Sequence, residues 1–485
     1  MSLHIGIDIG TSGVKAVLMD GVAKVLAEAA QPIAVSIPHL GWSEQSADLW
    51  VEATFHCLDQ MAKSVPDLMG AVQGIGLSGQ MLAALLLDGA HKPLRPAMLW
   101  NDQRALLECA ELRALCPDIG LRTNGAPDPG ITLPKLMWLA KHEPGVMERA
   151  RMLVLPKDYV RLALTGEVAS EPTDAGGTQL LDCRTGAWDA SLCALVGWNT
   201  EHLPPLVAPW QSAGNLRRHL AARWGMKRSV IVAAGAGDNM ASTLGVGAAQ
   251  PGDAVLTVGT SGVACIVDSA FHPGPQKAIL TSAHAAPDTY LSMGVVMSAT
   301  ATLDWVLRLT GTDTATLVAE AEAFAQTGRI IDAPIMLPCL TGIRTPLNRP
   351  DAMARIDGLH PGTTRGMLGY AVMEGVAFQF ADCVAAQKSV GVGPTRFSMV
   401  GGGSRSALWT RLLASVLDEP IDLPPSAHIS GPAGAARLAA VAAGGSFDGL
   451  SKPTGVARIV GPDAALKGLL EDRYKRFQAL LPPQG

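Results

Sequence analysis

The stretch IGIDIGTSGVKAVLMD, residues 5–20, decides how this chain is read, because its central GTSGV (10–14) returns unchanged at 259–263, inside AVLTVGTSGVACIVDS, residues 254–269. Apolar, β-branched runs flank both copies, so each reads as strand–turn–strand. The same motif opening each half of the chain is an internal duplication and predicts two lobes of related topology. Common Gly/Ser/Thr turns recurring by coincidence are the alternative. Consecutive Gly, Thr and Ser in a tight turn aim several backbone N–H groups at one point, and such a nest suits phosphate oxygens. Two nests, one per lobe, would grip a polyphosphate in the cleft between them.

Length and composition agree with two lobes. The chain has 485 residues, 48% hydrophobic and 17% charged, with 52 glycines and 33 prolines. That is enough apolar material for two α/β cores. A net charge of −5 gives no electrostatic case for nucleic acid or an anionic membrane. The eight cysteines include no C-x-x-C and no zinc spacing. The opening MSLHIGIDIG lacks the basic and apolar regions of a secretion signal, and no run approaches a membrane span. Reduced thiols and a cytoplasmic location are therefore expected.

The first half runs from strands into the helical GWSEQSADLWVEATFHCLDQMAKSV, then VQGIGLSGQMLAALLLD, in which a strand enters a Gly-Gln turn. LVLPKDYVRLALTG follows, and later SVIVAAGAGDNMASTLG. GVGAAQPGD marks a boundary, which predicts an N-terminal lobe over residues 1–245 and a C-terminal lobe over 246–485. The second half carries RFSMVGGG into SRSALWTRLLASVLD, then GPAGAARLAA, and ends in an amphipathic helix over 465–482. That last helix is expected to pack back on the N-terminal lobe. The small residues of GPAGAARLAA suit close helix packing at the lobe interface.

Two common phosphate motifs are excluded. No Gly-Lys dipeptide occurs, so there is no P-loop, and AAGAGDNMAS does not fit G-x-G-x-x-G. Instead IGIDIGTSGVK, the second GTSG, VGGGSRS and GPAGAARLAA resemble the phosphate, adenosine and connecting motifs of the actin/Hsp70/sugar-kinase ATPase superfamily. GITLPKLMWLAKH (130–142) resembles the N-terminal signature of the FGGY carbohydrate kinases. The order of SGQM, LRPAMLWNDQR, LPKDYVRLALTGE, AGAGDNMAS and RTPLNRP is similar to that of the bacterial xylulokinases within that family, from end to end. The resemblance implies two RNase-H-like α/β lobes, ATP and Mg²⁺ as cofactors, a small sugar as partner and a homodimer. It implies phosphorylation of a ketopentose, D-xylulose first, with another ketose, polyol or deoxy-ketose as the rival acceptor. An actin-like ATPase switch is the rival of another class.

The residues carry this chemistry as follows. Asp8 sits in an apolar strand, where a carboxylate is costly to bury alone. In the family the matching Asp lies near the phosphates and Mg²⁺, which prefers oxygen ligands and keeps waters. Capping of the turn amides is its alternative role. Gly10, Thr11 and Ser12 form the first phosphate turn, with Lys15 either beside it or simply solvated. Gly259, Thr260 and Ser261 form the second. Gly401, Gly402 and Gly403 would let adenosine lie against the backbone, with Ser404 capping the next helix or touching ribose. Asp238 is the expected catalytic base, since transfer to an alcohol needs its proton accepted as the bond forms. A mere N-cap is the alternative. Gln80, Met81, Leu82, Trp100, Asn101, Asp102, Arg104 and Asn239 form the expected sugar side. Trp100 packs on a sugar face in this reading, and Arg104 either meets substrate or anchors Asp102.

Two departures stand out. Xylulokinases usually read G-Q-M-H-G where this chain reads GQMLA, so Leu82 and Ala83 replace a histidine and a glycine. An apolar wall tolerates a missing hydroxyl that a polar site would reject, which points toward a less polar acceptor unless another residue fills the role. Met367, in RGMLGYAVMEG, replaces a usually polar residue of the C-terminal signature.

Overall fold

The computed structural model describes residues 2–21, 24–425, 427–450 and 455–482. The N-terminal sheet comprises β1 (Leu3–Ile9), β2 (Gly13–Asp20), β3 (Lys24–Pro32), β4 (Val72–Gly79), β5 (Ser212–Asn215), β6 (Ile231–Ala233) and β7 (Ala236–Gly237). Their order is β5-β6-β4-β1-β2-β3, with β7 also pairing β4. The second sheet comprises β8 (Asp253–Val258), β9 (Gly262–Asp268), β10 (Leu280–Ala283), β11 (Tyr290–Val296), β12 (Arg396–Val400), β13 (Ile421–Leu423) and β14 (Arg458–Val460). It runs β10-β11-β9-β8-β12-β13-β14.

The two sheets repeat one design. In each, a hairpin closed by GTSG supplies two antiparallel strands, a third antiparallel strand continues it, and two later strands add in parallel on the other side. The duplicated pentapeptide is thus the local trace of a duplicated topology. β1 and β8 are central and almost wholly buried, which explains their unbroken apolar runs.

The helices that matter for the site are α1 (Ala47–Ser64), α2 (Thr132–His142), α3 (Pro156–Thr165), α4 (Asp238–Gly245), α5 (Arg365–Ser389), α6 (Ala407–Leu417), α7 (Ser430–Ala442) and α8 (Ala464–Leu480). Two of them cross between halves. α4 contributes Met240, Ala241 and Leu244 to an apolar cluster with Val255, Cys265 and Val267 of the second sheet. α7, late in the chain, covers the first sheet, where Ala433 and Ala436 meet Val17 and Met19.

Glycine makes this exchange feasible. A Cβ on Gly6 would lie 1.8 Å from the Pro432 carbonyl oxygen, and one on Gly76 would lie 1.8 Å from that of Ala435. Where α4 and α7 cross, a Cβ on Gly434 would come within 1.9 Å of the Ala241 oxygen. GPAGAARLAA therefore forms the lobe interface.

The terminal helix behaves differently from expectation. α8 packs on the C-terminal lobe, not the N-terminal one. Its Leu470 and Phe477 join Tyr370 and Phe378 of α5 in the core. The cause is a buried charge pair: Arg473 donates to both carboxylate oxygens of Glu374, at 2.6 and 2.7 Å, and to the carbonyls of Ala333 and Pro334. All eight cysteines are buried and free. Among the described residues, no helix is long and apolar enough to cross a membrane.

Candidate active site

The first phosphate turn is closed by the Gly10 N–H donating to the Gly13 carbonyl at 3.0 Å. In the second, the Gly259 N–H donates one residue sooner, to the Ser261 carbonyl at 3.0 Å. Ser12 and Thr260 stand exposed at the tips. Asp8, at the end of β1, accepts a 2.6 Å hydrogen bond at Oδ1 from the Ser78 hydroxyl on the parallel strand β4. Lys15 is exposed and stands opposite Asp8 in the β1–β2 register. Burial raises the proton affinity of Asp8, while Ser78 and Lys15 pull it down.

Asp238 opens α4 directly after β7. Its Oδ1 accepts from the Asn239 N–H at 2.7 Å and from the Asn239 side-chain amide at 3.0 Å. Asn239 therefore orients the carboxylate. The helix N-cap is Gly237 and makes no side-chain cap, so Asp238 is not serving as one. Burial, then the negative charge of Asp8, push the Asp238 pKa up to about 7. Two carboxylates, one on β1 and one opening α4, thus share one region, and their repulsion raises the proton affinity of Asp238.

The sugar-side loops divide into groups that face the cleft and groups that hold the frame. Trp100 is 39% exposed, and its indole N–H donates to the Thr11 hydroxyl at 3.0 Å. Thr11 in turn donates to Gln80 Oε1 at 3.0 Å. The Gln80 amide donates to Gln45, whose own amide donates to the carbonyls of Thr11 and Ala34. Gln80 is therefore committed to holding the phosphate turn. Asn101 is exposed. Met81 packs against the strand end ahead of Asp238, where a Cβ on Gly237 would meet its sulfur at 2.5 Å. Leu82 adopts φ 69° and reaches Gly177.

Asp102 departs from the substrate role expected of it, and Arg104 takes the second of its two expected roles, anchoring Asp102. Asp102 is fully buried and accepts from Ser43 N–H at 2.7 Å and from three nitrogens of Arg104. Arg104 also pairs with Glu44 at 2.7 Å and lies 3.5 Å over the Trp42 ring. Four donors satisfy the carboxylate, so the pair is an internal anchor for the Trp100 loop. Ser404 does not cap the next helix, the first of its two expected roles. Its hydroxyl donates back to Gly401 at 2.7 Å, and Ser406 caps α6 by accepting from Trp409 N–H. The three glycines turn as expected: Gly401 has φ 87°, and a Cβ there would lie 2.5 Å from the Val258 oxygen.

Sequence reasoning missed a buried charge cluster under Asp238. Lys157 lies 2.7 Å from Asp158, 3.1 Å from Glu171 and 3.4 Å from Asp174, all fully buried. Glu171 accepts from the Thr173 and Asp174 N–H groups. Thr173 then accepts from Gly237 N–H at 2.9 Å, which fixes the strand end that carries Asp238. From the C-terminal lobe, the Ser282 hydroxyl donates to the Thr173 carbonyl. The signal was the run PKDYVR followed by SEPTD: five charged residues among apolar ones. Gln45 left no such trace.

For a divalent cation, the donor set fits only partly on its own. Among the described residues, no three His, Cys, Asp or Glu side chains gather as a metal group. Asp8 keeps one oxygen free of Ser78 and has its proton affinity raised by burial, which a cation would relieve. A single carboxylate suits Mg²⁺ whose remaining ligands are phosphate oxygens and water.

Twin lobes with one GTSG turn each, and the Asp8 and Asp238 carboxylates where the halves exchange helices, give the architecture of a two-lobed α/β kinase. Comparison with known proteins names the kind. The N-terminal domain of the FGGY family of carbohydrate kinases matches residues 3–245, and the C-terminal domain of the family matches 254–443. The chain is 37% identical to the xylulose kinase of Escherichia coli K12 over 444 residues, 91% of this chain and 90% of that one. A crystal structure of a xyloylose kinase from Brucella ovis superposes with TM-score 0.93 at 39% identity, covering 99% of each chain. The xylulose kinase of Rhodospirillum rubrum superposes with TM-score 0.89 at 29% identity, covering 99% of this chain and 98% of that one. The chain belongs to the FGGY family of carbohydrate kinases. It is a sugar kinase, which sets aside the actin-like switch.

Proposed function

We propose that the protein transfers the γ-phosphate of ATP to the 5-hydroxyl of D-xylulose. The observation that carries this is Asp238, a carboxylate with pKa about 7 that accepts from Asn239 and follows the strand end fixed by Thr173. Likeness to xylulose kinases over nine-tenths of the chain supports the acceptor.

The GTSG turns hold the polyphosphate by their N–H groups, and Gly401–Gly403 take the adenosine. As the sugar oxygen bonds to the γ-phosphorus, the bridging P–O bond to ADP breaks and the hydroxyl proton passes to Asp238. Mg²⁺ at Asp8 would supply charge neutralisation on the phosphates. Trp100 packs on the sugar face while its N–H keeps the loop on Thr11. Closure of the lobes excludes water that would otherwise take the phosphoryl group. A cytoplasmic site of action and a homodimer belong to the same reading.

One observation favours a second acceptor. Leu82 presents an isobutyl group beside Met81 and Gly177. An apolar wall there suits a less polar end, as in 1-deoxy-D-xylulose. ATP consumption with a panel of ketoses, polyols and deoxy-ketoses decides. D-Xylulose turnover lost in Asp238→Asn supports the first reading. Turnover confined to deoxy-ketoses supports the second. No sugar-dependent turnover overturns both.

A further inference from the structure

GITLPKLMWLAKH contains a lysine that the reaction does not use. Lys135, on α2, is wholly buried, yet its ammonium donates to backbone carbonyls rather than to a carboxylate. The acceptors are Gly130 at 2.6 Å, Leu82 at 2.9 Å and Met98 at 3.4 Å. Three donors meet three carbonyls, so a charge that is costly to bury is fully hydrogen-bonded. Each carbonyl belongs to a different segment: the Gln80–Leu82 turn, the strand that leads into Trp100, and the loop before α2.

Two further observations concern those segments. Leu82 holds φ 69°, a left-handed conformation disfavoured for any residue with a Cβ. Such strain persists where the surroundings over-determine it, often at functional sites. Here the Leu82 carbonyl is pinned twice, by Lys135 and by the Thr132 hydroxyl at 3.0 Å. Gly130 touches the Trp100 loop so closely that a Cβ would lie 1.9 Å from the Trp100 oxygen.

We propose that Lys135 is a positioning residue of the sugar subsite, tying the Leu82 turn, the Trp100 loop and the Gly130 loop into one wall through their carbonyls. This rests on the sugar-kinase reading of that wall. Lys135 touches neither phosphate turn, so its effect falls mainly on the acceptor and reaches the nucleotide only weakly, through the Trp100 and Gln80 bonds to Thr11. Burial pulls the Lys135 pKa down to about 7; Asp102 and Asp128 on the sugar-side loops favour its charged form, and Arg104 opposes it.

Steady-state kinetics of Lys135→Met and Thr132→Val, with amide hydrogen exchange of each, test the proposal. Loss of a hydrogen bond to a charged group predicts a KM for D-xylulose about 10- to 100-fold higher in K135M. KM for ATP should stay within about 2-fold, and faster exchange should be confined to residues 80–83, 98–104 and 127–131. T132V removes one neutral donor and should raise the sugar KM by about 2- to 10-fold. An unchanged sugar KM, equal losses for sugar and ATP, or faster exchange across the whole lobe would overturn the proposal. Should K135M not fold, T132V carries the same decision. Should wild-type protein turn over no sugar, the substrate reading fails separately, and the exchange pattern still decides the role of Lys135.

Discussion

The indole N–H of Trp100 donates to the hydroxyl of Thr11 at 3.0 Å, across 89 positions of sequence. One residue belongs to the loop read as the sugar wall and the other to the first phosphate turn. The bond therefore couples the two substrates' seats. Trp100→Phe keeps the ring face and removes the donor. A neutral hydrogen bond of about 0.5–1.5 kcal/mol predicts a 2- to 10-fold fall in kcat/KM for both sugar and ATP. Loss for the sugar alone would show that the bond does not couple them.

Asp238→Asn should cut kcat by about 10²- to 10⁴-fold while leaving ATP binding near wild type. The base works as the carboxylate. With its pKa at about 7 in the free protein, kcat/KM should rise as pH rises through 7 and level off above it. The sign follows from the causes, because burial and Asp8 both favour the protonated, inactive form. A profile flat from about pH 5.5 to 8 would remove Asp238 from the role.

At the crossing of α4 and α7, Gly434→Ala forces a Cβ against the Ala241 carbonyl at 1.9 Å. Overpacking of this kind costs about 1–3 kcal/mol, read as a lower urea midpoint. Gly468→Ala, on exposed α8 with nothing within 4 Å, is the control. It should stabilise by about 0.5–1 kcal/mol. Equal behaviour of the two variants would mean that the helix crossing is not close-packed in solution.

Arg473→Met strands the buried Glu374 carboxylate and should destabilise the protein by about 3–5 kcal/mol. Adding Glu374→Met removes the unpaired charge and should recover much of that loss. If the single and double variants melt together, the pair does not hold α8 on its lobe.

The residues legible in the sequence were those whose chemistry is local. The GTSG turns, the three glycines after β12 and Asp238 after a Gly-rich strand end are short-range patterns, and each sits where its pattern implied. The pairing of Asp102 with Arg104 was legible as one of two roles for Arg104, but the sequence did not decide between them. Which way a side chain turns depends on Ser43, Glu44 and Trp42, about 60 positions away.

By itself, the sequence determined that there are two related lobes, because a repeated hairpin needs only its own residues to be recognised. It also marked the two Gly-Thr-Ser turns and the carboxylate proposed as the base, since glycine conformation and carboxylate placement are written locally. Only the tertiary structure decided which helix closes which sheet. Both α7 and α8 are helices with apolar residues to bury, and periodicity does not say against what. Close approach at Gly6, Gly76 and Gly434 sends α7 to the first lobe, and the Arg473–Glu374 pair keeps α8 on the second. The frame around the site has the same origin. Gln45, Thr173 and Lys135 act through backbone carbonyls and amides of distant segments, and such partners leave no mark in a linear sequence.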